Sequence, residues 1–297
     1  MPDNEIIVDD RTISLSNLDK VLFPDDGVSK GDLIDYYRRI AEVMLPHMAG
    51  RPISMQRFPD GIAGEGFYQK EAPAYFPEWV ERVQVWVEEE ESRQPQVLCS
   101  NAATLVYLAN QACITPHVWL SRRDKLYYPD RMVFDLDPPD GDFEPVRSAA
   151  LAVREALDAN GLKSFVMTTG SRGLHVVVPL AREVEFDEVR KAARRLAEQV
   201  AGEAPDRLTV EMAKVARQGR LFLDYLRNSY GQTTVAPYAV RAKPGAPVAT
   251  PLDWDELDDT GLNSQSYTMQ NIFRRLGQKD DPWRDMREQP QSLHGLL

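Results

Sequence analysis

Two aspartates stand two residues apart at the end of an apolar run, Val133-Phe134-Asp135-Leu136-Asp137-Pro138-Pro139. On a strand, residues i and i+2 face the same side. Asp135 and Asp137 therefore project together, while Phe134 and Leu136 pack on the other face. Paired like charges at such a place are costly without compensation. A divalent cation is the usual compensation, because hard cations take carboxylate oxygens. Such a pair can span two metals about 3.5–4 Å apart, the arrangement used for in-line displacement at phosphorus. The other reading is two solvated acids at a strand-to-loop boundary, where acids and prolines commonly gather.

Further groups carry chemistry of the same kind. Thr168-Thr169-Gly170-Ser171-Arg172-Gly173-Leu174-His175-Val176 sets a glycine-rich turn between two apolar strands. Either its amides form an anion-binding concavity beside Ser171 and His175, or it is a hairpin turn whose glycines supply positive φ. The strand-to-helix pattern Gly-x-x-x-x-Gly-Lys-Ser/Thr does not occur, so a P-loop is not supported. Asp224 lies inside the apolar run 221–226. Buried, it needs a metal or a cation; on an edge strand it is merely exposed. Arg217, Arg220, Arg227, Arg241 and Lys243 cluster near it in sequence. Together they suit a polyphosphate pocket, whereas singly each reads as surface charge. Phe67-Tyr68 follow a glycine-rich loop and stack on a base if exposed, or join the core if buried. His117 either touches a phosphate or satisfies a local hydrogen bond. Lys20 and Lys30 flank a loop in an acidic segment, where lysines are ordinarily surface charge.

These groups need strands to hold them. Apolar patterning predicts strands at 51–58, 80–87, 131–137, 162–169, 174–180, 207–212, 220–225 and 233–242, with a strand-like start at 5–15. Residues 17–28 and 59–66 read as loops and 170–173 as a tight turn. Ser29 followed by Asp32 makes a capping-box start, and Leu33, Tyr36, Tyr37, Ile40, Val43 and Met44 then keep the helical period. Further helices are predicted at 102–112 capped by Asn101, at 143–160 closed by Gly161, at 187–200 and at 264–276. The mixture predicts an α/β (α+β) fold with a central, mainly antiparallel mixed sheet flanked by helices. No linker divides the chain, so residues 1–297 are expected to form a single domain, with an N-terminal subregion of about 50 residues.

The net charge of −11 counts against indiscriminate binding to nucleic acid. The sign reverses between Glu211 and Gly245, where six Lys/Arg face two acids. An acidic body with one basic stretch admits a polyanion at one place. No run of 18 apolar residues occurs, which excludes a helical membrane span, and the acidic start has no apolar signal-peptide region. Cys99 and Cys113 are too few for a disulfide framework, so the expected location is the cytoplasm.

Taken together, the motifs Phe134-Asp135-Leu136-Asp137-Pro138, Gly170-Ser171-Arg172-Gly173-Leu174-His175 and Thr233-Thr234-Val235-Ala236-Pro237-Tyr238 resemble the polymerase domain of bacterial ligase D, a branch of the archaeo-eukaryotic primase superfamily. The likeness begins at Leu18-Asp19-Lys20-Val21-Leu22-Phe23-Pro24 and covers nearly the whole chain. It implies a primase–polymerase fold and a metal-dependent polymerase, commonly using manganese (or magnesium) at a two-metal site and favouring ribonucleotides. By position, Asp135, Asp137 and Asp224 become the metal-binding acids. Ser171, Arg172 and His175 fall at the nucleotide's phosphates, with His117, Arg217, Arg241 and Lys243 as further candidates. Phe67 and Tyr68 fall where the family stacks on a base or the template. Lys20 and Lys30 fall where it grips the 5′-phosphate of a gap or break, and the amides opening the Ser29-capped helix are expected to add an anion site. Arg172 stands where the family often has Lys, and Phe67-Tyr68 where it often has two Phe. The implied partners are gapped DNA or double-strand-break ends, ribo- or deoxyribonucleoside triphosphates, Ku and a separate ATP-dependent ligase, with the protein at the nucleoid when it acts. No Lys-x-Asp-Gly occurs, so the ligase nucleotidyl-lysine motif is absent, and a stand-alone polymerase or an excised domain is expected. Rival readings are a primase that starts chains de novo, a metal-dependent phosphodiesterase and a non-catalytic end-binding module.

Overall fold

Asp9 and Asp10 both take positive φ (48° and 59°), the geometry of a two-residue hairpin turn. They fold the predicted strand 5–15 into two, β1 (Glu5–Val8) and β2 (Arg11–Ser14). The computed structural model describes residues 4–138 and 141–297, so Pro139 of the acidic motif lies outside the described residues. The expected loop 17–28 carries a small pair, β3 (Val21–Phe23) and β4 (Val28–Ser29). The helix α1 (Lys30–Met48) starts at the predicted capping box: Asp32 N donates to Ser29 Oγ and Ser29 N to Asp32 Oδ2. Its apolar stripe, Leu33, Tyr36, Tyr37, Ile40 and Met44, is buried.

The chain continues through β5 (Pro52–Arg57), β6 (Phe67–Gln69), β7 (Arg82–Val87), β8 (Ser92–Leu98), α2 (Ala102–Asn110) and β9 (Cys113–Trp119). It goes on through β10 (Arg131–Asp137), α3 (Glu144–Ala159), β11 (Phe165–Thr168), β12 (Leu174–Pro179) and α4 (Phe186–Glu203). Then follow β13 (Leu208–Thr209), α5 (Lys214–Arg217), β14 (Leu221–Asp224), β15 (Thr233–Val235), β16 (Pro251–Leu252) and α6 (Ile272–Leu276). The late helix is shorter than predicted. Asn263 Oδ1, Ser266 Oγ and Asn271 Oδ1 bond nearby backbone amides, and Thr268 pairs with Pro247, so residues 264–271 are committed to turns.

The chain divides into two compact units. The first runs to Asp124 and adds Thr233–Val248 and Thr268–Phe273. Its sheet has the order β15-β9-β5-β8-β7, with β6 also on β5, and every pairing is antiparallel. The second unit holds Lys125–Gln232, Ala249–Tyr267 and Arg274–Leu297. Its sheet has the order β13-β14-β10-β12-β11-β16, parallel only between β13 and β14. The mainly antiparallel mixed architecture is thus as predicted, in two sheets rather than one. In the second unit, alternate residues Met132, Phe134, Leu136, Leu174, Val176, Leu221 and Leu223 share one core with α3 and α4. The period-2 alternation leaves Asp135, Asp137, His175 and Asp224 for the opposite face.

Candidate active site

Strands β14, β10 and β12 lie side by side, and their register sets Asp224, Asp135 and His175 in one row. Asp135 is buried; its Oδ1 lies 3.4 Å from His175 Nε2, and its Oδ2 accepts from Arg227 Nε at 3.2 Å. Asp224 Oδ1 accepts from Leu226 N at 2.8 Å, while its Oδ2 is 4.0 Å from Arg227 Nε. Asp137 is exposed, with Arg172 at 3.6 Å. Burial works to raise the Asp135 carboxyl, but His175 and Arg227 outweigh it and hold it well below the usual carboxylate range. Asp224 moves the other way. Burial first and then the Asp135 charge push it up, against the pull of Leu226 N, Arg227 and Arg217.

A cleft of about 540 Å³ opens on this row. Three acids (Asp135, Asp137, Asp224) and five cations (Arg172, Lys214, Arg217, Arg220, Arg227) line it. The sequence reading noted Arg220 and Arg227 only as neighbours of Asp224 and did not single out Lys214. The signal for Arg227 lies in the next residue. Buried Asn228 accepts from Val133 N and donates to Val133 O and Tyr225 O, which clamps the turn after β14 to β10.

The glycine-rich turn is a hairpin between β11 and β12. Gly170 has φ +63°, and a Cβ on Gly173 would sit 1.9 Å from Leu136 O. The amides of Ser171 and Gly173 point to Thr169 Oγ1 at 3.3 and 3.2 Å. These two amides are spent inside the turn, which favours the hairpin-turn reading of the two the sequence left open. Arg172 lines the cleft, and Arg217 does so while donating to Glu211 O and Met212 O.

The remaining predicted residues belong to the first unit. Phe67 and Tyr68 are exposed on β6; Arg57 lies over the Phe67 ring, and Tyr68 meets buried His117 edge-on at 5.4 Å. Arg241 and Lys243 are half-buried in the segment after Tyr238. Lys20 Nζ pairs with Asp60 at 2.7 Å. Lys30 is buried and donates to Ser16 O and Ser16 Oγ. Burial, then the Lys20 and Arg57 charges, lower its ammonium. The first amides of α1 are all taken: Lys30 N by Lys20 O, Gly31 N by Leu18 O and Asp32 N by Ser29 Oγ. The anion site expected at this helix start is therefore not available.

Among the described residues, no three His, Cys, Asp or Glu side chains form a ready metal cage. The donor chemistry nonetheless fits a divalent cation. All three acids offer hard oxygens. Asp135 and Asp224 are register partners, so two carboxylates stand side by side on neighbouring strands.

The antiparallel sheet thus sets Asp224, Asp135 and His175 in one row, and the three acids line a cleft with five cations. Residues 29–283 match the family model described as the primase-polymerase domain of LigD, and the chain belongs to that family. It is 36% identical over 272 residues to the multifunctional non-homologous end joining protein LigD of Mycolicibacterium smegmatis, covering 91% of this chain and 35% of that protein. It is 29% identical to the bifunctional LigD of Bacillus subtilis, over 94% of this chain and 45% of that protein. The chain thus spans less than half the length of these relatives. The polymerase domain of Mycobacterium tuberculosis ligase D, solved in complex with DNA, superimposes with a TM-score of 0.87 at 32% identity. That match covers 94% of this chain and 99% of the other. No helix among the described residues is long and apolar enough to cross a membrane.

Proposed function

We propose that this chain performs template-directed, metal-dependent nucleotidyl transfer, filling gaps and extending DNA ends in non-homologous end joining. The observation that carries the reading is the cleft lined by Asp135, Asp137 and Asp224 together with five cations, the first of these acids backed by His175. Asp135, Asp137 and Asp224 would hold divalent metal, manganese or magnesium at two sites. The chemistry such metal would supply is activation of the primer 3′-hydroxyl and compensation of charge on the triphosphate and its leaving group. Arg172, Arg217 and His175 would orient and neutralise phosphate, a reading supported for the two arginines by their place in the cleft lining, with Ser171, His117, Arg241 and Lys243 assigned to the same nucleotide. Phe67 and Tyr68, being exposed, suit stacking on a base or template. Lys20 and Lys30 are assigned to a 5′-phosphate, supported by their place at the ends of a loop in an acidic segment; the phosphate would displace exposed Asp60 from Lys20. Ribonucleotides are the favoured substrate, and Ku and a separate ligase the partners.

Extension of a gapped duplex tests this, with 5′-phosphate or 5′-hydroxyl, each nucleotide type and each metal. Wild-type protein should add nucleotides to the primer end, best with Mn²⁺, ribonucleotides and a 5′-phosphate. Asp137→Ala should fold and add none. Extension by the folded variant at the wild-type rate would remove Asp137 from the chemistry.

A further inference from the structure

The acids of the cleft already have a cation of their own. Arg227 Nε donates to Asp135 Oδ2 at 3.2 Å and stands 4.0 Å from Asp224 Oδ2. The guanidinium thus meets both members of a cross-strand acid pair, since Asp135 and Asp224 are register partners. The other three arginines of the cleft are engaged differently. Arg217 donates to Glu211 O and Met212 O, and Arg220 to Arg217 O, Ala216 O and Pro205 O. Arg172 faces Asp137. The Arg227 backbone is fixed by the Asn228 clamp, but its side chain is 41% exposed and lines the cleft, so it has room to leave.

We propose that Arg227 is a resident counter-cation, which holds the Asp135–Asp224 pair until divalent metal arrives and yields both carboxylates to it. The proposal rests on the reading of these acids as metal ligands. It assigns Arg227 a positioning role: it keeps two like charges side by side in the metal-free protein, and metal must displace it. Its presence weakens intrinsic metal affinity, because an existing charge-assisted hydrogen bond is lost on binding. A hydrogen bond of that kind is worth at least about tenfold in a binding constant, and partial exposure sets the expectation at that lower end.

The test is calorimetric titration of Mn²⁺ alone, without DNA or nucleotide, into four proteins: wild type, Arg227→Ala, Arg227→Lys and Arg220→Ala. Arg227→Ala should bind Mn²⁺ about tenfold more tightly. Arg227→Lys and Arg220→Ala should stay within about threefold of wild type. Arg227→Gln replaces the alanine variant if that one does not fold. Unchanged affinity on loss of Arg227 overturns the proposal. Equal tightening in Arg220→Ala also overturns it, since that would be a general field effect. Absence of Mn²⁺ uptake by every protein overturns the metal reading itself, whereas uptake that ignores Arg227 overturns only this inference.

Discussion

Asp135 and Asp224 face each other across two strands, yet their surroundings treat them oppositely, and this gives a prediction with a sign. Asp135→Asn removes a charge that His175 and Arg227 stabilise. Breaking a buried ion pair costs about 3–5 kcal/mol. The Arg227 side chain is 41% exposed and rehydrates in part, so about 2–3 kcal/mol is expected here. Asp224→Asn instead relieves like charge opposite Asp135, a cross-strand effect of about 0.2–1 kcal/mol. The Asn Oδ1 still accepts from Leu226 N. The Arg227 contact given up is the long one at 4.0 Å, so relief outweighs loss. At about 2–4 °C per kcal/mol, Asp135→Asn should lower the melting temperature by about 4–12 °C, while Asp224→Asn should raise it by up to about 4 °C. Scanning calorimetry at neutral pH with a chelator reads both, and primer extension with Mn²⁺ should be lost in both. Melting shifts of the same sign would refute the electrostatic account of this row.

Two further outcomes are expected. Gly173→Ala places a Cβ 1.9 Å from the Leu136 carbonyl, which is backbone and cannot swing away. It should cost about 3 kcal/mol or more and exceed the cost of Gly170→Ala, where only positive φ is at stake, about 1–2 kcal/mol; thermal melts of the two variants check the order. Glu256 is held low despite its burial by Arg275, the Asp253 amide and Lys279. A carboxyl lowered on folding adds stability above its unfolded value and loses it as pH falls through the folded one. Glu256→Gln should therefore be less stable than wild type by about 1–3 kcal/mol at neutral pH, with the gap closing below about pH 4.5. Denaturant titrations across that range measure it.

Local pattern made the elements that carry the acids legible. The apolar run ending in two aspartates predicted 131–137, and the strand has those bounds. The capping box at Ser29 and the Asn101 cap were equally plain, because both are interactions over three residues. Failures came where local signals mislead. Strands β8 and β9 hold Pro95 and Pro116, residues that normally argue against interior strands. β8 meets β5 only through Val97 and Leu98, so Pro95 lies beyond that pairing. The predicted strand 233–242 stops at Val235, and Tyr238 takes φ +65°, a turn conformation that no strand pattern foretells.

The site itself was legible as a set of residue types and not as an arrangement. Asp135 and Asp137 share a face by the period of a strand, which the sequence states directly. The alignment of Asp135 with His175 and Asp224 depends on two strand registers, each joining residues 40 or more positions apart. Only that register turns Arg227 from one basic residue among several into the partner of both acids. The same holds for charge. A chain of net −11 has no general attraction for DNA, so attraction must be local. Folding collects five cations on the acidic cleft, drawn from 172–227, whereas Lys20 and Lys30 lie in a segment rich in acids. Single lysines in such a segment look like ordinary surface charge. In the fold the two differ only by their contacts: Lys20 pairs with Asp60, whereas Lys30 is buried and donates to Ser16.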